Sequence, residues 1–117
     1  MIFAVDFDGV IIPNGNWPSV GEPNMEAIET LKGLREDGHK LILWTNRVGE
    51  ALLAAVSFCR SYGLEFDKVN ENLQEVIEFF GSDSRKVYAN HYIDDRAACI
   101  RFGNGMEYVD GQIKERG

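Results

Sequence analysis

The sequence predicts an α/β fold: a three-layer, Rossmann-like sandwich with a mostly parallel central sheet, helices on both faces and no cap domain. Three observations predict it. Short apolar runs alternate with longer stretches whose apolar positions recur at helical spacing. Glycines punctuate the ends of the helical stretches. Polar residues follow the apolar runs directly, which is where open α/β sheets keep their chemistry. Strands that alternate with helices imply right-handed parallel crossovers and a sheet covered on both sides.

The first strand is read over residues 2–7, where Ile2-Phe3-Ala4-Val5 leads into Asp6-Phe7-Asp8-Gly9. Side chains two apart on an extended chain share a face, so Asp6 and Asp8 can serve one object if extension persists to Asp8. Pro13, Asn14, Gly15, Pro18, Gly21 and Pro23 then form a dense cluster of turn residues, read as a loop or short flap beside the Asp pair. Ala27, Ile28, Leu31 and Leu34 mark a first helix from about Asn24, its cap, to Gly38. Lys40–Trp44 is a second strand, stopping at Thr45-Asn46-Arg47.

A second helix runs from about Gly49 to Tyr62 on the apolar face of Leu52, Leu53, Val56, Cys59 and Tyr62, with Gly63 as terminator. Phe66–Val69 is a third strand. Leu73, Val76, Ile77 and Phe80 mark a third helix closed by Gly81. Lys86–Ala89 and Tyr92-Ile93 read as strand pieces, the second ending at Asp94-Asp95. Ala97–Phe102 fits a helical turn or a strand, Gly103-Asn104-Gly105 is a turn, and residues 106–117 carry no pattern that assigns an element.

A chain of 117 residues, 44% hydrophobic, fits one domain over residues 1–117. Its formal charge of −7 argues against generic adhesion to nucleic acid or anionic membrane, both of which need a positive field. No apolar stretch approaches the ~20 residues of a membrane span and no signal-like segment opens the chain, so a cytoplasmic protein is expected. Cys59 and Cys99 lack metal-type spacing and are read as buried free thiols. His39 and His91 are isolated in sequence and read as structural or exposed. Trp17 either lids the pocket or packs on the protein's own core, and packing is the favoured reading.

Three strand ends thus present Asp6 with Asp8, Thr45 with Asn46 and Arg47, and Asp94 with Asp95, while Lys86 lies shortly upstream of the last pair. Carboxylates brought together in a partly desolvated site repel and ask for a counter-charge. Hard oxygen donors select Mg²⁺, which keeps several waters and is commonly held by one or two carboxylates plus substrate phosphate. A metal, a hydroxyl and a lysine to hold phosphoryl oxygens, and spare carboxylates for covalent and acid–base steps, describe phosphoryl transfer. Arg47, two residues beyond Thr45, either recognises a second anionic group of the substrate or is a surface arginine near a helix start. The duller readings are an Asp-Gly turn at Asp8-Gly9, Thr45 as a helix cap, Lys86 as a solvated lysine and Asp94-Asp95-Arg96 as an ion-pair turn.

Asp6-Phe7-Asp8-Gly9-Val10, Thr45, Lys86 and Asp94-Asp95, in that order, resemble the four motifs of the haloacid dehalogenase superfamily of phosphohydrolases and span about 90 residues. The resemblance implies Asp6 as the nucleophile that forms an aspartyl-phosphate, and Asp8 as the acid–base residue, with its carbonyl on the metal. It further implies Thr45 and Lys86 on the phosphoryl group and Asp94 as a Mg²⁺ ligand. Asp95 stays open between direct ligand, water-mediated ligand and orienting residue. Val10 stands where many relatives have threonine, and the Lys86-to-Asp94 spacing is unusually compact.

Only about 15 residues separate Gly9 from the first helix and about 40 separate Thr45 from Lys86, too few for a cap domain. In the superfamily a capless form implies a phosphorylated macromolecule that covers the site itself or a homo-oligomer whose neighbour supplies the lid; a phosphorylated small molecule is the other substrate class. The expectation is therefore a Mg²⁺-dependent phosphomonoester hydrolase. Phosphotransfer to an acceptor other than water, or a non-catalytic module that binds Mg²⁺ or a phospho-ligand, are the competing readings.

Overall fold

The structure is a computed structural model that describes residues 1–14, 17–95, 106–109 and 112–115. Its elements are β1 (Ile2–Val5), α1 (Met25–Glu36), β2 (Lys40–Leu43), α2 (Gly49–Ser61), β3 (Lys68–Val69), α3 (Gln74–Phe80), β4 (His91–Ile93), β5 (Met106–Val109) and β6 (Gln112–Glu115). Four strands form a parallel sheet in the order β3-β2-β1-β4. The chain steps outward from β1 through β2 to β3, then returns to place β4 on the other side of β1. β1 and β4 therefore flank the point at which the winding reverses.

The period-two alternation of β1 and β2 divides the core. Phe3, Val5, Leu41 and Leu43 face α1 and α2, against Ile28, Leu31, Ala55 and Cys59. Ile2, Ala4, Ile42 and Trp44 face the other layer, with Leu73, Val76, Val87 and Ala89. Helices thus cover both faces, and the three-layer Rossmann-like sandwich is the observed architecture, with no cap domain inserted among the described residues. Each fully buried Leu or Ile in these layers contributes roughly 1.5–3 kcal/mol by leaving water. Burial also pushes the Cys59 thiol up to about 12; Cys99 lies outside the described residues.

Helix boundaries follow local chemistry. The Asn24 side chain accepts from the Ala27 amide at 3.2 Å and starts α1. Gly81, at φ +74°, ends α3 in the left-handed conformation a C-terminal cap requires.

The strands are shorter than the sequence predicts. β1 stops at Val5, two residues early, because Phe7 enters a turn, and β2 stops at Leu43. Of Phe66–Val69 only Lys68–Val69 joins the sheet. Lys86–Ala89 is not a strand: the Tyr88 amide is taken by the buried Asn72 side chain at 2.7 Å, and sheet pairing resumes only at His91. Residues 106–109 and 112–115, to which the sequence assigned no element, form an antiparallel pair. The readings for Ala97–Phe102 and Gly103–Gly105 lie outside the described residues. No helix among the described residues is long and apolar enough to cross a membrane.

Candidate active site at the carboxyl edge of the sheet

Parallel register brings three strand ends to one level. Val5 pairs with Leu43 on one side and Ile93 on the other. The Asp6 amide continues the ladder by donating to the Ile93 carbonyl at 2.9 Å, and the Trp44 amide donates to the Val5 carbonyl at 2.8 Å. Asp6, Thr45 and Asp94 therefore leave the sheet at the same edge, and Asp6 and Asp94 flank its switch point, where ligands of open α/β sheets bind.

The carboxylates of Asp6, Asp94 and Asp95 offer oxygens that all lie within 4.8 Å of one another. Asp6 is half-buried, whereas Asp94 and Asp95 are exposed. An octahedral Mg²⁺ with bonds of about 2.1 Å separates its ligands by about 3–4 Å. The cluster thus needs only a slight contraction to hold one. Burial first, then the neighbouring charges of Asp94, Asp95 and Asp8, raise the Asp6 carboxyl from 3.8 to about 6, against the opposing hydrogen bond from the Phe7 amide at 2.8 Å. Hard donors and mutual repulsion together fit a divalent cation.

A turn delivers Asp8, not an extended strand. The Phe7 carbonyl accepts from the Ile11 and Ile12 amides at 3.0 and 3.1 Å, and the Gly9 amide donates to the Ile12 carbonyl at 2.8 Å. Phe7, Ile11 and Ile12 go fully inside. Asp6 and Asp8 nevertheless line one open cavity of about 440 Å³, together with Gly9, Pro13, Trp17, Thr45, Asn46 and Asp95. Gly9 adopts φ +92°, and a Cβ there would overlap the Asp95 carboxylate. Only glycine lets the two loops approach this closely.

Thr45 is held from both sides. Its amide donates to Asn70 Oδ1 at 2.8 Å and its Oγ1 accepts from the Arg47 amide at 3.1 Å. It does not cap the next helix, whose N-cap is Val48. Asn70, at φ +55°, went unnoticed in the sequence. Asn in the left-handed region is the only signal it offered, and that region is not legible without coordinates.

Two assignments are corrected. Arg47 cannot receive a substrate anion: it is wholly buried, and its guanidinium grips the Asp8 carboxylate through two bonds of 2.8 Å. Both Asp8 oxygens are so engaged, and the Asp8 carboxylate stands outside the cluster of Asp6, Asp94 and Asp95; the metal contact expected of Asp8 is through its backbone carbonyl. Lys86 is not brought to the cavity. Its ammonium stands over the Tyr92 ring, 5.7 Å from the centroid. It lines a separate hollow with Phe80, Ser84 and Tyr88. Among the described residues, no lysine or arginine lines the carboxylate cavity.

Trp17 does not pack into the core; it is 59% exposed and lines the cavity, with Arg47 4.9 Å from its ring centroid. His39 Nδ1 accepts from the amino-terminal ammonium at 2.8 Å, and His91 stacks on Phe3 at 5.3 Å. Both histidines therefore take structural places.

The fold and this edge define a class, the Rossmann-like α/β proteins with an acidic cluster at the sheet's switch point. No protein-family profile matches the chain, and no curated protein matches it. Among solved structures, a conserved protein from Bacteroides thetaiotaomicron matches with a TM-score of 0.74 and 46% identity, over 84% of this chain and 78% of that one. The chain belongs to the same family as that protein.

Proposed function

We propose that the chain is a Mg²⁺-dependent phosphomonoester hydrolase working through an aspartyl-phosphate on Asp6. The observation that supports this most is the gathering of Asp6, Asp94 and Asp95 within 4.8 Å at the switch point, with Thr45 on the same cavity. The order of Asp6-Phe7-Asp8-Gly9, Thr45 and Asp94-Asp95, which resembles motifs of the haloacid dehalogenase superfamily, also supports it. Asp6, Asp94 and Asp95 would hold the cation, which when bound neutralises phosphoryl oxygens and lets an ionised Asp6 face an anionic ester.

In this reading an Asp6 oxygen forms the bond to phosphorus as the bond from phosphorus to the ester oxygen breaks, and that oxygen leaves as the alcohol with a proton from Asp8. Water then forms a bond to phosphorus and gives its proton to Asp8 as the bond from Asp6 to phosphorus breaks, releasing phosphate and the free carboxylate. Asp8 is the acid–base residue; a carboxylate has about four lone-pair sites, and Arg47 occupies two of them. Thr45 Oγ1 and the Asn46 amide group hold phosphoryl oxygens. Lys86, in its separate hollow, takes no part in this reading.

Turnover of p-nitrophenyl phosphate with and without Mg²⁺ tests the proposal. Activity that needs the metal and disappears in Asp6→Asn, with the fold intact by circular dichroism, is expected. A fully active Asp6→Asn protein refutes it. Added alcohols that become phosphorylated would identify a transferase instead. The lack of a cationic side chain on the cavity among the described residues favours, as second reading, a module that binds Mg²⁺ or a phospho-ligand without turnover. Calorimetric binding of a phosphate ester with no phosphate release would select that module.

A further inference from the structure

We infer that Arg47 is the positioning residue of the cavity, acting on turnover through Asp8 and on the cavity wall through Trp17. The inference rests on the hydrolase reading only for its turnover arm. A guanidinium has five N–H donors in a rigid fork, and all five are used. Nε donates to Asp8 Oδ2 at 2.8 Å and Nη2 to Asp8 Oδ1 at 2.8 Å. The remaining donors reach the carbonyls of Pro18 at 2.7 Å, Ser19 at 2.8 Å and Ala51 at 3.2 Å. The rings of Phe7 and Trp17 stand over it at 4.8 and 4.9 Å.

One buried side chain thus joins the turn after β1, the segment 17–19 and the first turn of α2. Two of the groups it fixes, Asp8 and Trp17, line the cavity. The Asp8 side chain is 34% exposed, so its outer side faces the cavity while its inner side is clamped. Lysine keeps the charge but offers three donors from a single point, so it cannot span a carboxylate and three carbonyls. A positional loss is therefore expected on a conservative change of charge-preserving type.

The test compares Arg47→Lys, Asp8→Asn and the double variant, with p-nitrophenyl phosphate and Mg²⁺. A misplacement of about 1 Å at a reacting group costs about 100-fold. Arg47→Lys is expected to lower kcat by that order with a far smaller change in KM. In the Asp8→Asn background it is expected to change the residual rate by less than about twofold, the non-additivity of residues that act as a unit. Asp8→Glu, which keeps Arg47 and pushes the carboxylate outward, is expected to lose kcat comparably and serves if Arg47→Lys fails to fold.

Trp17 provides a readout without activity. In a Trp44→Phe background, Arg47→Lys should red-shift Trp17 emission and increase its quenching by acrylamide. An active wild type with Arg47→Lys and Asp8→Glu at wild-type kcat overturns the turnover arm, and unchanged Trp17 emission overturns the wall arm. A wild type without turnover, but with the Trp17 change, refutes the hydrolase reading and leaves the positioning of the wall standing.

Discussion

Replacing Asp6 with asparagine should abolish the pH dependence of one part of the folding free energy. The Asp6 carboxyl is raised from 3.8 to about 6 in the folded chain, chiefly by burial and by Asp94. A shift of two units corresponds to about 3 kcal/mol. Asp6 opens onto a solvated cavity, and screening leaves roughly half, about 1.5 kcal/mol. Because the folded state holds this proton to higher pH than the unfolded chain, the contribution to stability is full below 3.8. It is lost as pH rises to about 6 and is flat beyond. Asparagine preserves Oδ1 as acceptor for the Phe7 amide without the charge. At pH 7.5 without metal, Asp6→Asn should therefore be more stable than wild type by about 1.5 kcal/mol, about 6 °C in a chain of this size. At pH 4 the two should converge. Mg²⁺ at 100 times its Kd stabilises wild type by about 2.7 kcal/mol at pH 7.5 and less at pH 5, where the proton competes. Thermal unfolding of both proteins across this range, with and without Mg²⁺, checks it. An Asp6→Asn protein less stable than wild type at pH 7.5 without metal, or one with the wild-type Mg²⁺ response, refutes the reasoning.

Gly9→Ala should cost about 1–2 kcal/mol from its positive φ alone. It should also abolish the Mg²⁺-induced rise in Tm, because a methyl group displaces Asp95; a wild-type metal response would count against the shared cluster. Asn72→Ala leaves the Tyr88 amide and the Ser84 carbonyl without their side-chain partner and should cost about 1–3 kcal/mol. Hydrogen exchange should find the Tyr88 amide unprotected in that variant, and retained protection would show another acceptor.

What the sequence disclosed was periodicity, and what it hid was pairing. Apolar alternation in Ile2–Val5 and Lys40–Leu43 is enough to assign two faces to each strand, and the helices followed from spacing and from Asn24, Gly63 and Gly81. The acidic edge was legible because strand ends in a parallel sheet come to one level wherever they lie in the chain. Arg47 was not legible, because its environment is made by carbonyls of Pro18, Ser19 and Ala51, and backbone atoms leave no trace in residue type. Lys86 failed for a related reason. Order along the chain resembled a motif, but the fold seats Lys86 in a hollow with Asn72, Phe80 and Tyr88, apart from the cavity that Asp6 lines.

The tetrapeptide after β1 illustrates how much one short segment can be asked to do. Asp6 stays in the ladder and turns its carboxylate towards Asp94 and Asp95. Phe7 goes wholly into the core while its ring stands over the Arg47 guanidinium. Asp8 has its charge met by Arg47, and Gly9 has no side chain, so Asp95 can close over it. Of the four carboxylates at this edge, Arg47 accounts for that of Asp8. Asp6 resists ionisation first because it is half-buried and then because Asp94 and Asp95 carry like charge beside it. Three carboxylates whose oxygens lie within 4.8 Å of one another could hold a divalent cation, and that is the ground on which Mg²⁺ is proposed.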